Sequence, residues 1–119
     1  MNRKILIVDD EEEILIFMSK FLKRLNIDCV VCNSGEQAIE VYKQQKFDFV
    51  LLDIHLGGIS GIDVLKILKQ FDPDVKVIII TGSINEHIKG NVMLLGAIDY
   101  IQKPIELNVL KEKILKYIS

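Results

Sequence analysis

No apolar run in the 119-residue chain approaches the roughly 20 residues that a membrane-spanning helix needs. The opening stretch MNRKILIVDD turns acidic too early for a secretory leader, so the expected compartment is the cytoplasm, with no membrane partner. A basic excess is also missing. Fifteen Lys and Arg stand against 17 Asp and Glu, and the net charge of −2 argues against a nucleic-acid surface on this segment. Linkers, internal repeats and low-complexity stretches are absent. The length suits one ordinary domain, so residues 1–119 are read as one unit with a real core. Cysteine is scarce: Cys29 and Cys32 form a C-x-x-C that in other contexts suggests a redox pair. Here it lies in the short, β-branched CVVC, which reads as a strand. Strand residues three apart are about 10 Å apart and face opposite sides, too far for a disulfide. Two small buried thiols are therefore expected.

What is present follows one repeating grammar. Short apolar runs at 5–8 (ILIV), 29–32 (CVVC), 49–52 (FVLL) and 77–80 (VIII), with a weaker one at 99–102 (DYIQ), alternate with helical patterns. Ile14, Phe17, Met18, Phe21, Leu22 and Leu25 have the spacing of a buried helical stripe. The second helix opens on a capping-box pattern, Ser34 with Gln37, and buries Ala38, Val41 and Tyr42. A third carries Ile62, Leu65 and Leu68. A fourth follows a second such pair, Ser83 with Glu86, and includes Ile88, Val92 and Leu95; the last buries Leu107, Leu110, Ile114 and Ile118. Strand cores unbroken by polar residues imply a parallel sheet covered on both faces. The reading is a doubly wound α/β fold of the flavodoxin-like (βα)5 type, with five parallel strands in the order 2-1-3-4-5.

In such a sheet the functional crevice lies at the carboxyl ends of the strands where the winding reverses, between strands 1 and 3. Strand 1 ends in Asp9 and Asp10, strand 3 in Asp53, strand 4 in Thr81, and strand 5 in Lys103 followed by Pro104. Each has an ordinary explanation alone, as a helix-capping acid, a turn hydroxyl or a solvated lysine. Together they make a chemical set. Clustered carboxylates suit Mg²⁺, a carboxylate can attack phosphorus to give an aspartyl phosphate, and an ammonium and a hydroxyl can stabilise the transferring group.

The segments ILIVDDEE, DFVLLDIHLGGISG, VIIITGS and LGAIDYIQKPIE resemble the receiver domains of two-component response regulators, the chemotaxis-regulator-like superfamily, over essentially the whole chain. The resemblance implies a signalling phosphoacceptor rather than an enzyme in its own right. Asp53 would accept the phosphoryl group from a sensor histidine kinase or a histidine phosphotransfer protein. Asp10, Asp53 and the backbone carbonyl of His55 would bind Mg²⁺, with Asp9 acting through water and no other cofactor. Lys103 would pair with the phosphoryl group, and the Lys103–Pro104 bond would be cis. Thr81 and Tyr100 resemble the switch pair that reshapes the face of the fourth helix, fifth strand and fifth helix. That face would serve an output partner or a fused effector domain, and both a homodimer through it and a monomer are open. Glu11, Glu12 and Glu13 are expected to be solvated residues of the first helical turn.

Some positions depart from the family pattern. Leu56-Gly57 replaces the common Met-Pro and Gly58 follows, which predicts a looser loop. Gly82 replaces a common alanine after the switch hydroxyl. His55 sits where relatives modulate hydrolysis, or is simply a solvent-facing histidine. Gly90 within the fourth helix predicts local mobility. A flavin-binding module would want a Ser/Thr/Gly-rich phosphate loop where DDEEE stands, and a haloacid-dehalogenase-like phosphatase would want Asp-x-Asp there. The remaining alternative is a degenerate receiver serving as a phosphorylation-independent interaction module.

Overall fold

Each apolar run forms a strand and each periodic stretch a helix in the computed structural model, which describes residues 3–82 and 85–118. The chain alternates β1 (Lys4–Val8), α1 (Glu12–Arg24), β2 (Asp28–Cys32), α2 (Gly35–Gln44), β3 (Phe49–Asp53), α3 (Gly61–Phe71), β4 (Val77–Thr81), α4 (Glu86–Leu94), β5 (Asp99–Gln102) and α5 (Leu107–Ile118). The strands form one parallel sheet in the order β2-β1-β3-β4-β5, as the sequence predicts. Among the described residues no helix is long and apolar enough to cross a membrane.

Alternation along the strands builds two cores. Leu6, Val8, Val50, Leu52, Val77 and Ile79 point to one face and pack on α2, α3 and α4 through Ala38, Tyr42, Val64, Leu65, Leu68 and Val92. Ile5, Ile7, Phe49, Leu51, Ile78 and Ile80 point to the other and meet Leu15, Met18 and Leu22 of α1 and Leu110 and Ile114 of α5. Because β3 and β4 are buried along their whole lengths, a polar residue at their carboxyl ends is buried too. This is how the fold delivers Asp53 and Thr81 to an enclosed site.

Several local expectations need correction. Leu15, not Phe17, completes the buried stripe of α1, and Phe17 is exposed at its margin. Leu107 at the start of α5 is likewise exposed. Cys32 is buried, but Cys29 is only half-buried; the two lie in opposite cores as free thiols. Burial pushes the Cys32 thiol up to about 11. The Ser34 hydroxyl accepts from the Gln37 amide at 3.2 Å, but the Gln37 side chain accepts from Asn33, one residue before the cap, so the box is shifted rather than reciprocal. Ser83 lies outside the described residues. Asn85 caps α4, its Oδ1 accepting from the Ile88 amide at 2.9 Å.

Gly90 in α4 faces open space: a Cβ built there meets nothing within 4 Å. Gly90→Ala is therefore expected to stabilise the protein by up to about 1 kcal/mol, through helix propensity alone. A raised urea midpoint, with slower amide exchange in α4, checks this. An unchanged midpoint would mean that α4 is not limited by its glycine.

Candidate functional site

The register of the sheet brings five chain segments to one edge. The Asp9 amide donates to the Cys32 carbonyl at 3.1 Å, carrying the β1–β2 ladder one residue further, and the Lys103 amide donates to the Thr81 carbonyl at 2.9 Å beside β4 and β5. Asp53 ends β3, between them. Asp9, Asp53 and Thr81 are the buried polar side chains among the described residues, whereas Asp10 is exposed. The peptide bond between Lys103 and Pro104 is cis.

One ammonium serves three carboxylates. Lys103 Nζ lies 2.9 Å from Asp9 Oδ2, 3.1 Å from Glu11 Oε2 and 3.4 Å from Asp53 Oδ2. The second carboxylate oxygens of the two aspartates are held by backbone. Asp9 Oδ1 accepts from the Glu11 amide at 2.9 Å, and Asp53 Oδ1 accepts from the His55 amide at 3.3 Å. Burial and the charge of Asp9 raise the Asp53 pKa, and Lys103 and the His55 amide offset this only in part. Burial pulls Lys103 down, but its bonds to Asp9 and Glu11 outweigh that, and its ammonium is held charged well above the ordinary range. The site thus carries an excess of negative charge around one fixed cation.

A hard cation fits this deficit. Ligand oxygens of Asp9, Asp10 and Asp53 all lie within 4.8 Å of one another, and the buried Asp9 Oδ2 has no aligned hydrogen bond among the described residues, only the nearby ammonium. Mg²⁺ usually takes one or two carboxylates and keeps several waters, which suits a cluster with one exposed member, Asp10.

The loop after Asp53 is shaped by glycines. Gly58 adopts φ of 81°, a left-handed conformation that favours glycine. At Gly61 the N-terminus of α3 presses on the acceptor strand: its amide donates to the Ile54 carbonyl at 2.8 Å, and a Cβ there would lie 2.1 Å from the Asp53 carbonyl oxygen. Ser60 caps the same helix through the Asp63 amide at 3.2 Å. His55 is exposed.

Tyr100 is half-buried on the face of α4, β5 and α5, with the ammonium groups of Lys89 and Lys113 at 4.8 and 5.0 Å from its ring centre. Lys113 also pairs with Asp99 at 2.9 Å and donates to the Tyr100 carbonyl at 2.6 Å, and the Tyr117 hydroxyl donates to Asp99 at 2.9 Å. Burial alone would raise the Asp99 pKa, but the bonds from Lys113, the Tyr100 amide and Tyr117 outweigh it and lower it.

The structure therefore brings Asp9, Asp10, Asp53, Thr81 and Lys103 together. Sequence reasoning missed Glu11 and Gly61. Glu11 is exposed, as expected, but it stands at the N-cap position of α1 rather than in its first turn, and its carboxylate reaches Lys103. Nothing in DDEEE distinguishes it from its neighbours, because its partner is 92 residues away. Gly61 carried a signal, the last glycine of HLGGISG just before an apolar helical pattern.

The family model described as response regulator receiver domain matches residues 5–115. The chain is 31% identical over 118 residues to sporulation initiation phosphotransferase F of Bacillus subtilis strain 168, covering 99% of this chain and 95% of that protein. It is 35% identical over 119 residues to the alkaline phosphatase synthesis transcriptional regulatory protein PhoP of the same strain, where it covers 98% of this chain and spans only 50% of the relative. A solved CheY-like receiver domain protein from Methanospirillum hungatei JF-1 superposes with a TM-score of 0.94 at 26% identity, over 99% of this chain and 94% of that one. CheY in a CheX–CheY–BeF3–Mg complex from Borrelia burgdorferi gives 0.91 at 26% identity, over 98% and 90%.

Proposed function

The chain belongs to the response regulator receiver domain family of two-component systems, and on that premise we propose that Asp53 is its phosphoacceptor, with residues 1–119 acting as one receiver unit. The observation that carries this is the buried Asp53 carboxylate beside both the Lys103 ammonium and the acidic pair Asp9 and Asp10. An Asp53 oxygen attacks the phosphorus of a phosphohistidine on a histidine kinase or phosphotransfer protein. The new O–P bond forms as the P–N bond breaks, its electron pair returning to the imidazole. Lys103 turns from Asp53 to the incoming phosphoryl oxygens, and the Thr81 hydroxyl donates to another of them. Mg²⁺, when held by Asp10, Asp53 and the His55 carbonyl with Asp9 acting through water, neutralises the charge gathered on the transferred group.

Docking of the phosphohistidine-bearing partner is supported by a cleft of about 450 Å³ beside Asp10, lined by α1 residues Leu15 and Ile16 and by Val31 and Asn33 across from them. The exposed Ile16 and Val31 give that partner apolar surface to cover. On the output side, movement of Thr81 toward the phosphoryl group lets Tyr100 turn inward, away from its two lysines. That alters the α4, β5 and α5 face offered to an output partner, a fused effector or a second copy. The chain thus acts in the cytoplasm as a signalling phosphoacceptor and not as a turnover enzyme.

Intact mass after incubation with acetyl phosphate tests this reading. One added phosphoryl group is expected with Mg²⁺, little without it, and none in Asp53→Ala. No gain under conditions that load another receiver would favour a phosphorylation-independent interaction module.

A further inference from the structure

Three carboxylates share the Lys103 ammonium, and they differ in one respect that decides their roles. The side chains of Asp9 and Asp53 are 1% and 4% exposed, whereas that of Glu11 is 60% exposed. Asp9 and Asp53 are also tethered through their second oxygens by backbone amides. Glu11 occupies the N-cap position of α1, yet its side chain makes no capping hydrogen bond; its carbonyl alone accepts from Ile14 and Leu15. Its carboxylate is turned instead to Lys103 at 3.1 Å.

An arriving phosphoryl group carries its own negative oxygens and needs the same ammonium. Two of the resting partners are buried and held by backbone amides, so moving either would strip a buried charge of its hydrogen bonds, which is costly. Glu11 can swing into water with little loss, because its own side chain is already largely solvated, although that of Lys103 is not, and a solvent-screened ion pair contributes only about 0.2–1 kcal/mol. We propose that Glu11 is a positioning residue that parks the Lys103 ammonium in the resting protein and competes with the phosphoryl group for it, so that Glu11 sets how readily Asp53 is phosphorylated. This rests on the reading of Asp53 as phosphoacceptor. The acids of DDEEE then divide three ways: Asp9 and Asp10 belong to the cluster that would hold Mg²⁺, Glu11 holds the lysine, and Glu12 and Glu13 favour the helix N-terminus.

The test compares wild type, Glu11→Gln and Glu13→Gln with acetyl phosphate and Mg²⁺, following phosphorylated mass against time. In this reaction the Asp53 O–P bond forms as the P–O bond to acetate breaks, its electrons leaving on acetate. Glu11→Gln is expected to react about 1.4- to fivefold faster than wild type at low salt, the range that corresponds to a solvent-screened ion pair of about 0.2–1 kcal/mol. The ratio should fall toward one near 1 M salt, where the screening length shrinks to about 3 Å. Glu13→Gln removes the same charge from the same segment and should match wild type. A second readout needs no donor or metal: the ¹⁵N-labelled Lys103 ammonium resonance of the resting protein should shift in Glu11→Gln and stay in place in Glu13→Gln. Equal or slower phosphorylation of Glu11→Gln in a chain that does take the phosphoryl group, or an unmoved Lys103 resonance, overturns the proposal and leaves the phosphoacceptor reading standing. A wild-type chain that takes no phosphoryl group overturns both.

Discussion

Replacing Gly61 with alanine is expected to destabilise the protein by about 1–3 kcal/mol, the usual cost of forcing an extra methyl into packed structure, and to slow phosphorylation of Asp53 about a hundredfold. The added Cβ would lie 2.1 Å from the Asp53 carbonyl oxygen, 2.6 Å from Ile54 Cα and 2.8 Å from the Asp53 carbonyl carbon. All three are backbone atoms, so no side chain can rotate out of the way. Either α3 retreats and loses the Gly61 to Ile54 hydrogen bond, or the end of β3 moves and takes the acceptor carboxylate with it. A displacement of roughly 1 Å near reacting groups is worth about a hundredfold in rate. Gly57→Ala is the matched comparison, since a Cβ there meets nothing within 4 Å. Urea unfolding and phosphorylated mass against time should separate the two variants clearly. Indistinguishable midpoints would mean that the strand end and α3 adjust independently.

Asp53→Asn is expected to do two opposite things: abolish phosphoryl acceptance and, in EDTA at pH 7, stabilise the fold by about 0.5–2 kcal/mol, a common range for favourable single substitutions. The sign follows from the raised pKa of Asp53, whose first cause is burial and second the charge of Asp9. A carboxyl group that binds its proton more tightly folded than unfolded contributes stability that is fully present below its unfolded pKa and lost as pH rises through its folded pKa. At pH 7 the ionised Asp53 therefore opposes folding, and asparagine removes that opposition. The advantage should shrink toward zero below about pH 4, where the unfolded carboxylate is also protonated. Added Mg²⁺ should favour wild type, because a ligand that binds only the folded state stabilises it. Thermal unfolding at pH 7 and pH 4, with EDTA and with Mg²⁺, gives all four values. An Asn variant no more stable than wild type in EDTA at pH 7 would contradict the electrostatic account of the site.

The two-sided core and the alternation of strands and helices were legible in the sequence because they depend on period and order alone, whereas the sheet order was the common arrangement of five right-handed βα units, a step not independent of the family resemblance. Unbroken runs such as FVLL and VIII leave a strand no exposed face, and a strand buried on both faces needs helices on each side. The residues at those strand ends, Asp9, Asp53 and Thr81, inherit their burial from that pattern. Three things were not legible. The substitution of Leu15 for Phe17 in the core depends on the rotation of α1 against the sheet, which a stripe about three residues wide does not fix. The capping of α4 by Asn85 required choosing among nearby polar residues that all make acceptable caps. The pairing of Glu11 with Lys103 is set by the approach of the β5–α5 connection to the start of α1. Local pattern has no access to that distance.

Of the three clustered aspartates, Asp53 is the one proposed to take the phosphoryl group. Reduction of the acetyl-phosphate-treated protein with tritiated borohydride, which converts an aspartyl phosphate to homoserine, followed by peptide mapping, tests this most directly. Label is expected at residue 53 alone, dependent on Mg²⁺. Label at Asp9 or Asp10, with residue 53 unmodified, would contradict it.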